Sequence, residues 1–168
     1  MGTSLQHRKK KYRVLVYLLL FSCTISAQSI METLEDTRWE GTGTLMNSPA
    51  TYKMHWERTL DNSFIKLQFE NKRVDKDGKE INFKSHAYYK VGEASKVTGT
   101  WFDSRGISFP LKGSVSKKEL IIFWGSPETE EGKTRYTLQS DTEIHVMDYI
   151  LRNGTYLPFG KAQYTLIP

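Results

Sequence analysis

Thr51-Tyr52-Lys53-Met54-His55-Trp56-Glu57 and Ile65-Lys66-Leu67-Gln68-Phe69-Glu70 alternate polar and apolar side chains without a break. Successive residues of a strand point to opposite sides of a sheet, so a period of two reads as β-structure with one dry and one wet face. Tyr52, Met54 and Trp56 share the dry face against Lys53, His55 and Glu57, and Ile65, Leu67 and Phe69 share it against Lys66, Gln68 and Glu70. Further along, Phe83, Ala87, Tyr89 and Val91 oppose Lys84, His86 and Lys90 in the same way.

From Thr37 onward, segments of this kind are divided at intervals of roughly 8–14 residues by turn residues, the spacing of an all-β domain. Asn47-Ser48-Pro49, Asp77-Gly78, Ser104-Arg105-Gly106, Ser116-Lys117-Lys118 and Asn153-Gly154 are among nine such turns, which makes ten strands. Most are short enough to join antiparallel neighbours. A long meander with one wet face is spared exposed edges most simply by closing on itself. The expected fold is therefore all-β, a single antiparallel up-and-down β-barrel of about ten strands over residues 37–168. Ten strands enclose more room than eight, so a ligand cavity is the natural inference. Only residues 28–36 read as a helical or irregular N-terminal segment.

Charge separates the first 27 residues from the rest. The chain carries a net +5, and Arg8, Lys9, Lys10, Lys11 and Arg13 supply all of it, because the remaining 141 residues hold 19 basic and 19 acidic side chains. A protein that grips nucleic acid shows a Lys/Arg footprint on its folded domain, and none is expected here. The basic run, the apolar stretch Val14–Phe21 and the small residues ending at Ser26-Ala27 instead follow the plan of a secretory signal peptide over residues 1–27. A bilayer-spanning helix needs about 20 apolar residues, more than this stretch offers, so no transmembrane helix is expected in the mature form. Cleavage after Ala27 gives a periplasmic or secreted protein. The alternative is Leu20-Phe21-Ser22-Cys23, which resembles a bacterial lipobox and would leave a lipid anchor on Cys23. Cys23 is the only cysteine, so the domain is held without disulfides.

Two segments carry a resemblance. Thr37-Arg38-Trp39-Glu40-Gly41-Thr42-Gly43 resembles the first strand of lipocalin-like (calycin) barrels, and Trp101-Phe102-Asp103-Ser104-Arg105-Gly106 is similar to the W-x-D-S-x-G signature of an uncharacterised family of secreted bacterial lipocalin-like domains. The hairpin from Tyr149 to Tyr164 is similar as well, so the likeness spans residues 35–167. It implies a barrel plugged at one end by Trp39 that binds a small apolar or amphiphilic molecule, with no activity to carry over. More distantly the chain resembles nitrobindin and fatty-acid-binding-like ten-stranded barrels. The former imply haem on an inward histidine, a role open only to His145; otherwise no cofactor is expected.

Candidate site residues follow from strand direction and parity. The start of the first strand and the end of the second lie at one end of the barrel, placing Trp39 near Arg58. An unpaired charge on the dry parity of Trp56 is costly, so Arg58 is expected to close that end by a cation–π contact over Trp39, with an anionic-ligand anchor as the alternative. At the other end, Trp101, Asp103, Arg135, Phe83 and Asp148 are expected to form an amphipathic mouth, the mix typical of small-molecule sites. The structural alternative for Asp103 is that it accepts backbone N–H groups and holds the Ser-Arg-Gly turn.

Catalysis and metals find little support. No G-x-S-x-G, H-E-x-x-H or phosphate-binding loop is present. Ser85 and His86 are neighbours on one strand and face opposite ways, so they cannot share a triad with Asp103. His55, His86 and His145 share no ligand spacing, and no metal is expected. Besides the ligand-binding barrel, two readings stay open: a protein-interaction module whose aromatics fill the core, and an enzyme using His145-bound haem or an acid–base Asp103.

Overall fold

The structure, a computed structural model, describes residues 29–168; the signal peptide expected over residues 1–27, with Cys23, lies outside the described residues. A short helix α1 (Ile30–Leu34) precedes ten strands: β1 (Arg38–Leu45), β2 (Ser48–Thr59), β3 (Phe64–Val74), β4 (Glu80–Val91), β5 (Lys96–Asp103), β6 (Ser108–Val115), β7 (Glu119–Gly125), β8 (Glu131–Ser140), β9 (Glu143–Arg152) and β10 (Thr155–Ile167). Every strand pairs antiparallel with its sequence neighbours, and β1 pairs with β10, so the sheet closes into a barrel. The expected all-β, ten-stranded up-and-down architecture is the one observed.

The closing seam runs from Arg38 opposite Ile167 to Leu45 opposite Gly160. It depends on a residue without a side chain, because a Cβ at Gly43 would sit 2.0 Å from the Lys161 carbonyl oxygen. The β1–β2 hairpin is tighter than expected. Met46 and Asn47 make the turn with φ of 51° and 67°, and Ser48 and Pro49 already belong to β2. Pro49 is tolerated because the ladder to β3 starts only at Ala50, so no N–H is missed.

One end of the barrel is solid. Trp39, Trp56, Leu67, Ala87, Leu120 and Ile144 are fully buried there, and Ile30, Met31 and Leu34 of α1 are packed into the same core. The helix is tied down by the Ile30 N–H, which donates to the Ser116 carbonyl at 3.0 Å, and the Trp39 indole N–H donates to the Thr37 hydroxyl at 2.7 Å. Trp39 therefore plugs the barrel from within, covered by α1.

Arg58 does not lie over Trp39. Its guanidinium grips both oxygens of Glu35, at 2.7 and 2.8 Å, and its backbone N–H donates to Asp36 at 3.1 Å. At the last turn of β2 the side chain escapes the core and pairs with the residues that follow α1, which costs less than burial against a ring. Arg58 thus fastens the plug rather than forming it.

Candidate functional site

The opposite end is hollow. A cavity of about 340 Å³ reaches the rim at Met46, Arg105, Glu130 and Arg152, residues in or beside the turns that end β1, β5, β7 and β9. Its wall is aromatic. Phe83 stacks on Trp101 with ring centres 6.4 Å apart, Phe109 lies against Trp124 at 5.8 Å, and Phe159 meets the same indole edge-on at 6.4 Å. Tyr52, Phe69 and Tyr164 continue the wall inward. Gly132 makes room for Trp124, since a Cβ there would sit 2.1 Å from the indole ring.

Phe159 reaches the cavity through an irregularity that the alternation could not reveal. The β9–β10 register shifts between Pro158 and Gly160, so the inward parity changes within β10. Tyr156 on the outer side packs against Phe123, while Phe159 and, beyond the bulge, Tyr164 both face inward.

Few polar side chains line this space: Asn71, Arg73, Thr134 and Asp148 along the wall, with Arg105, Glu130 and Arg152 at the rim. Arg73 donates to the Asn71 amide oxygen at 2.9 Å. Asp148 accepts one hydrogen bond, from the Thr134 hydroxyl at 2.7 Å. Burial pushes its carboxyl up from 3.8 to about 6, with the Thr134 bond pulling the other way. Burial and the nearby Asp148 charge together push the Tyr52 phenol up to about 12, partly offset by Arg73, and the Tyr164 phenol is raised by burial and Asp148 as well.

The expected mouth residues separate into three groups. Phe83, Trp101 and Asp148 line the cavity. Asp103 lies beneath it. Its side chain is fully covered, accepting the Trp101 indole N–H at 3.2 Å, the Arg105 backbone N–H at 2.8 Å and the Arg105 guanidinium at 2.8 Å. Burial raises that carboxyl, but the Arg105 side-chain and backbone bonds outweigh it and hold the group below the usual carboxylate range. Asp103 thus holds the turn and also positions Arg105, which lies 5.6 Å above the Phe83 ring and 5.9 Å from Phe109 and pairs with Glu130 at 3.0 Å.

Arg135 is not at the mouth. Gly132, Thr134 and Tyr136 take the inward parity of β8, which turns Arg135 to the exposed outer face, where it pairs with Glu119. His145 is also outside, exposed and bonded to Glu143 at 2.8 Å, between the buried Ile144 and Val146. The residue on which a haem barrel would rest therefore points away from the interior, and no histidine is among the cavity-lining residues. Ser85 faces in and His86 out, which separates that pair as expected.

Sequence reasoning missed Asn71, Arg73, Thr134 and Arg105. For the first two the signal was present: the dry parity of Ile65, Leu67 and Phe69 runs on to Asn71 and Arg73, so two polar residues had to point inward. Among the described residues no helix is long and apolar enough to cross a membrane. No protein-family model matches the chain, and no curated protein matches it as a relative.

Proposed function

We propose that this chain is an exported barrel that binds a small hydrophobic or amphiphilic molecule in its interior, in the manner of lipocalin-like domains. The observation that carries this reading is the cavity of about 340 Å³ with an aromatic wall and few polar groups. Its size falls in the range of roughly 300–1,000 Å³ common for small-molecule sites. Export rests on the basic and apolar pattern of residues 1–27, with release after Ala27 or a lipid on Cys23 as its two forms. The solid end packed on Trp39 and Trp56 suits a filled interaction module equally well; the hollow end does not.

The test is a titration of the purified domain with N-phenyl-1-naphthylamine, an uncharged probe that brightens in apolar surroundings. Saturable one-to-one binding, with energy transfer from Trp101 and Trp124, is expected. No saturable signal, together with a native mass equal to that of the bare chain, would overturn the reading.

A further inference from the structure

The charges around the cavity do not pair off evenly. Arg73, Arg105 and Arg152 line it, and Asp103, Glu130 and Asp148 are the acids in or beside it. Asp103 and Glu130 both lie against Arg105. Asp148 alone has no arginine, lysine or histidine against it among the described residues, and its one hydrogen bond comes from a neutral hydroxyl. A carboxylate has about four acceptor positions, so most of its demand is unmet. The group is half-buried in the cavity wall, and a carboxylate partly withdrawn from water gains from a cationic partner.

What surrounds the carboxylate also matters. Tyr52 of β2, Tyr89 of β4, Tyr136 of β8 and Tyr164 of β10 all lie close enough to feel its charge, and each of these phenols is raised by it, after burial. Two lining arginines also lack a carboxylate among the described residues, but neither is bonded to Asp148: Arg73 of β3 is held to the Asn71 amide oxygen, and Arg152 lies exposed at the rim. Aromatic faces attract cations as a carboxylate does, through the ring quadrupole. An anionic group and aromatic rings on one cavity wall favour the same kind of guest.

We infer that the cavity selects an amphiphilic amine, whose ammonium pairs with Asp148 while its apolar body lies against the ring wall of Trp101, Trp124 and Phe159. This rests on the ligand-binding reading and names the ligand class for that site. Asp148 would be the polar anchor, and Thr134 would be its positioning residue, holding one carboxylate oxygen so that the other meets the guest.

The experiment displaces the bound naphthylamine probe with decylamine, decanol and decanoate at a pH of about 8, where the carboxylate is ionised and the amine protonated. The full exported domain is used, as wild type, Asp148→Asn and Arg73→Gln. Decylamine should displace the probe best, and Asp148→Asn should weaken it roughly tenfold or more, the worth of a charge-assisted hydrogen bond. Decanol should bind both proteins alike, which shows that the variant is folded and its cavity intact. Decanoate binding best, with that preference lost in Arg73→Gln, would overturn the amine assignment and leave the cavity reading standing. Equal binding of all three, unchanged in Asp148→Asn, would overturn it too. Failure of the probe to bind wild type at all would instead remove the ligand-binding reading.

Discussion

The Thr134 hydroxyl donates to Asp148 at 2.7 Å, and no other described side chain or N–H supports that carboxylate. Burial raises the group from 3.8 to about 6, so the folded chain holds the proton more tightly than the unfolded chain. For this group stability is therefore greatest below its unfolded value of 3.8, and it is lost as pH rises through about 6. A shift of about two pH units sets an upper bound of roughly 3 kcal/mol at neutral pH, reduced because the half-buried carboxylate faces the cavity. Asp148→Asn should therefore be more stable than wild type at pH 7 by up to about 3 kcal/mol, and the gain should vanish near pH 4. Urea unfolding at the two pH values checks it; equal stability of the two proteins at pH 7 would show that the carboxylate is not strained by burial.

Part of this arrangement is written in the alternation of the sequence and part is not. The alternation in Tyr52–Trp56 and Ile65–Phe69 was enough to reveal the strands, their faces and a closed meander, because burying one side of a sheet leaves the same record in every strand. Phe83, Trp101 and Asp148 were legible as interior for that reason. Nearness to the rim points Arg135 to the mouth, but parity turns it outward, since Thr134 and Tyr136 on either side claim the inward face. Phe159 could not be read at all, since a bulge resets the period inside β10. The Arg58–Glu35 pair depends on where α1 packs, and nothing local to either residue specifies that.

Asp103 gives the opposite pH behaviour. Its carboxyl is pushed up by burial but held low overall by Arg105 and the Trp101 indole, so it stabilises the fold above its unfolded value and that stability is lost as pH falls through the lower folded value. Asp103→Asn keeps the shape and removes the charge. It should cost about 1–3 kcal/mol at pH 7, with the difference from wild type shrinking in acid. Thermal unfolding across pH measures this, and a variant as stable as wild type would show that the turn is held without the carboxylate.

The two ends of the barrel should respond independently. Leu34 is fully buried in the plug and is not among the residues that line the cavity. Leu34→Ala should lose about 2–5 kcal/mol through lost burial and the hole it leaves. Affinity for the naphthylamine probe should stay unchanged at temperatures where the variant is folded. A parallel loss of affinity would mean that the plug shapes the cavity.

Arg105 spans the mouth. It joins the β5–β6 turn, through Asp103 at 2.8 Å, to the β7–β8 turn, through Glu130 at 3.0 Å, while its guanidinium covers Phe83 and Phe109. The side chain is 46% exposed but its partner Asp103 is fully covered, so Arg105→Gln should cost about 1–3 kcal/mol by leaving that carboxylate without its cation. Its larger effect should be kinetic, because a guest must pass the guanidinium on the way in and on the way out. Stopped-flow fluorescence of the probe should then show association and dissociation both accelerated in Arg105→Gln, with the dissociation constant changed less than either rate. Arg105→Lys keeps the charge but loses the planar fork that engages both turns at once, so its rates should fall between the two. Rates equal to wild type in both variants would show that the ligand enters elsewhere along the rim, past Met46 or Arg152.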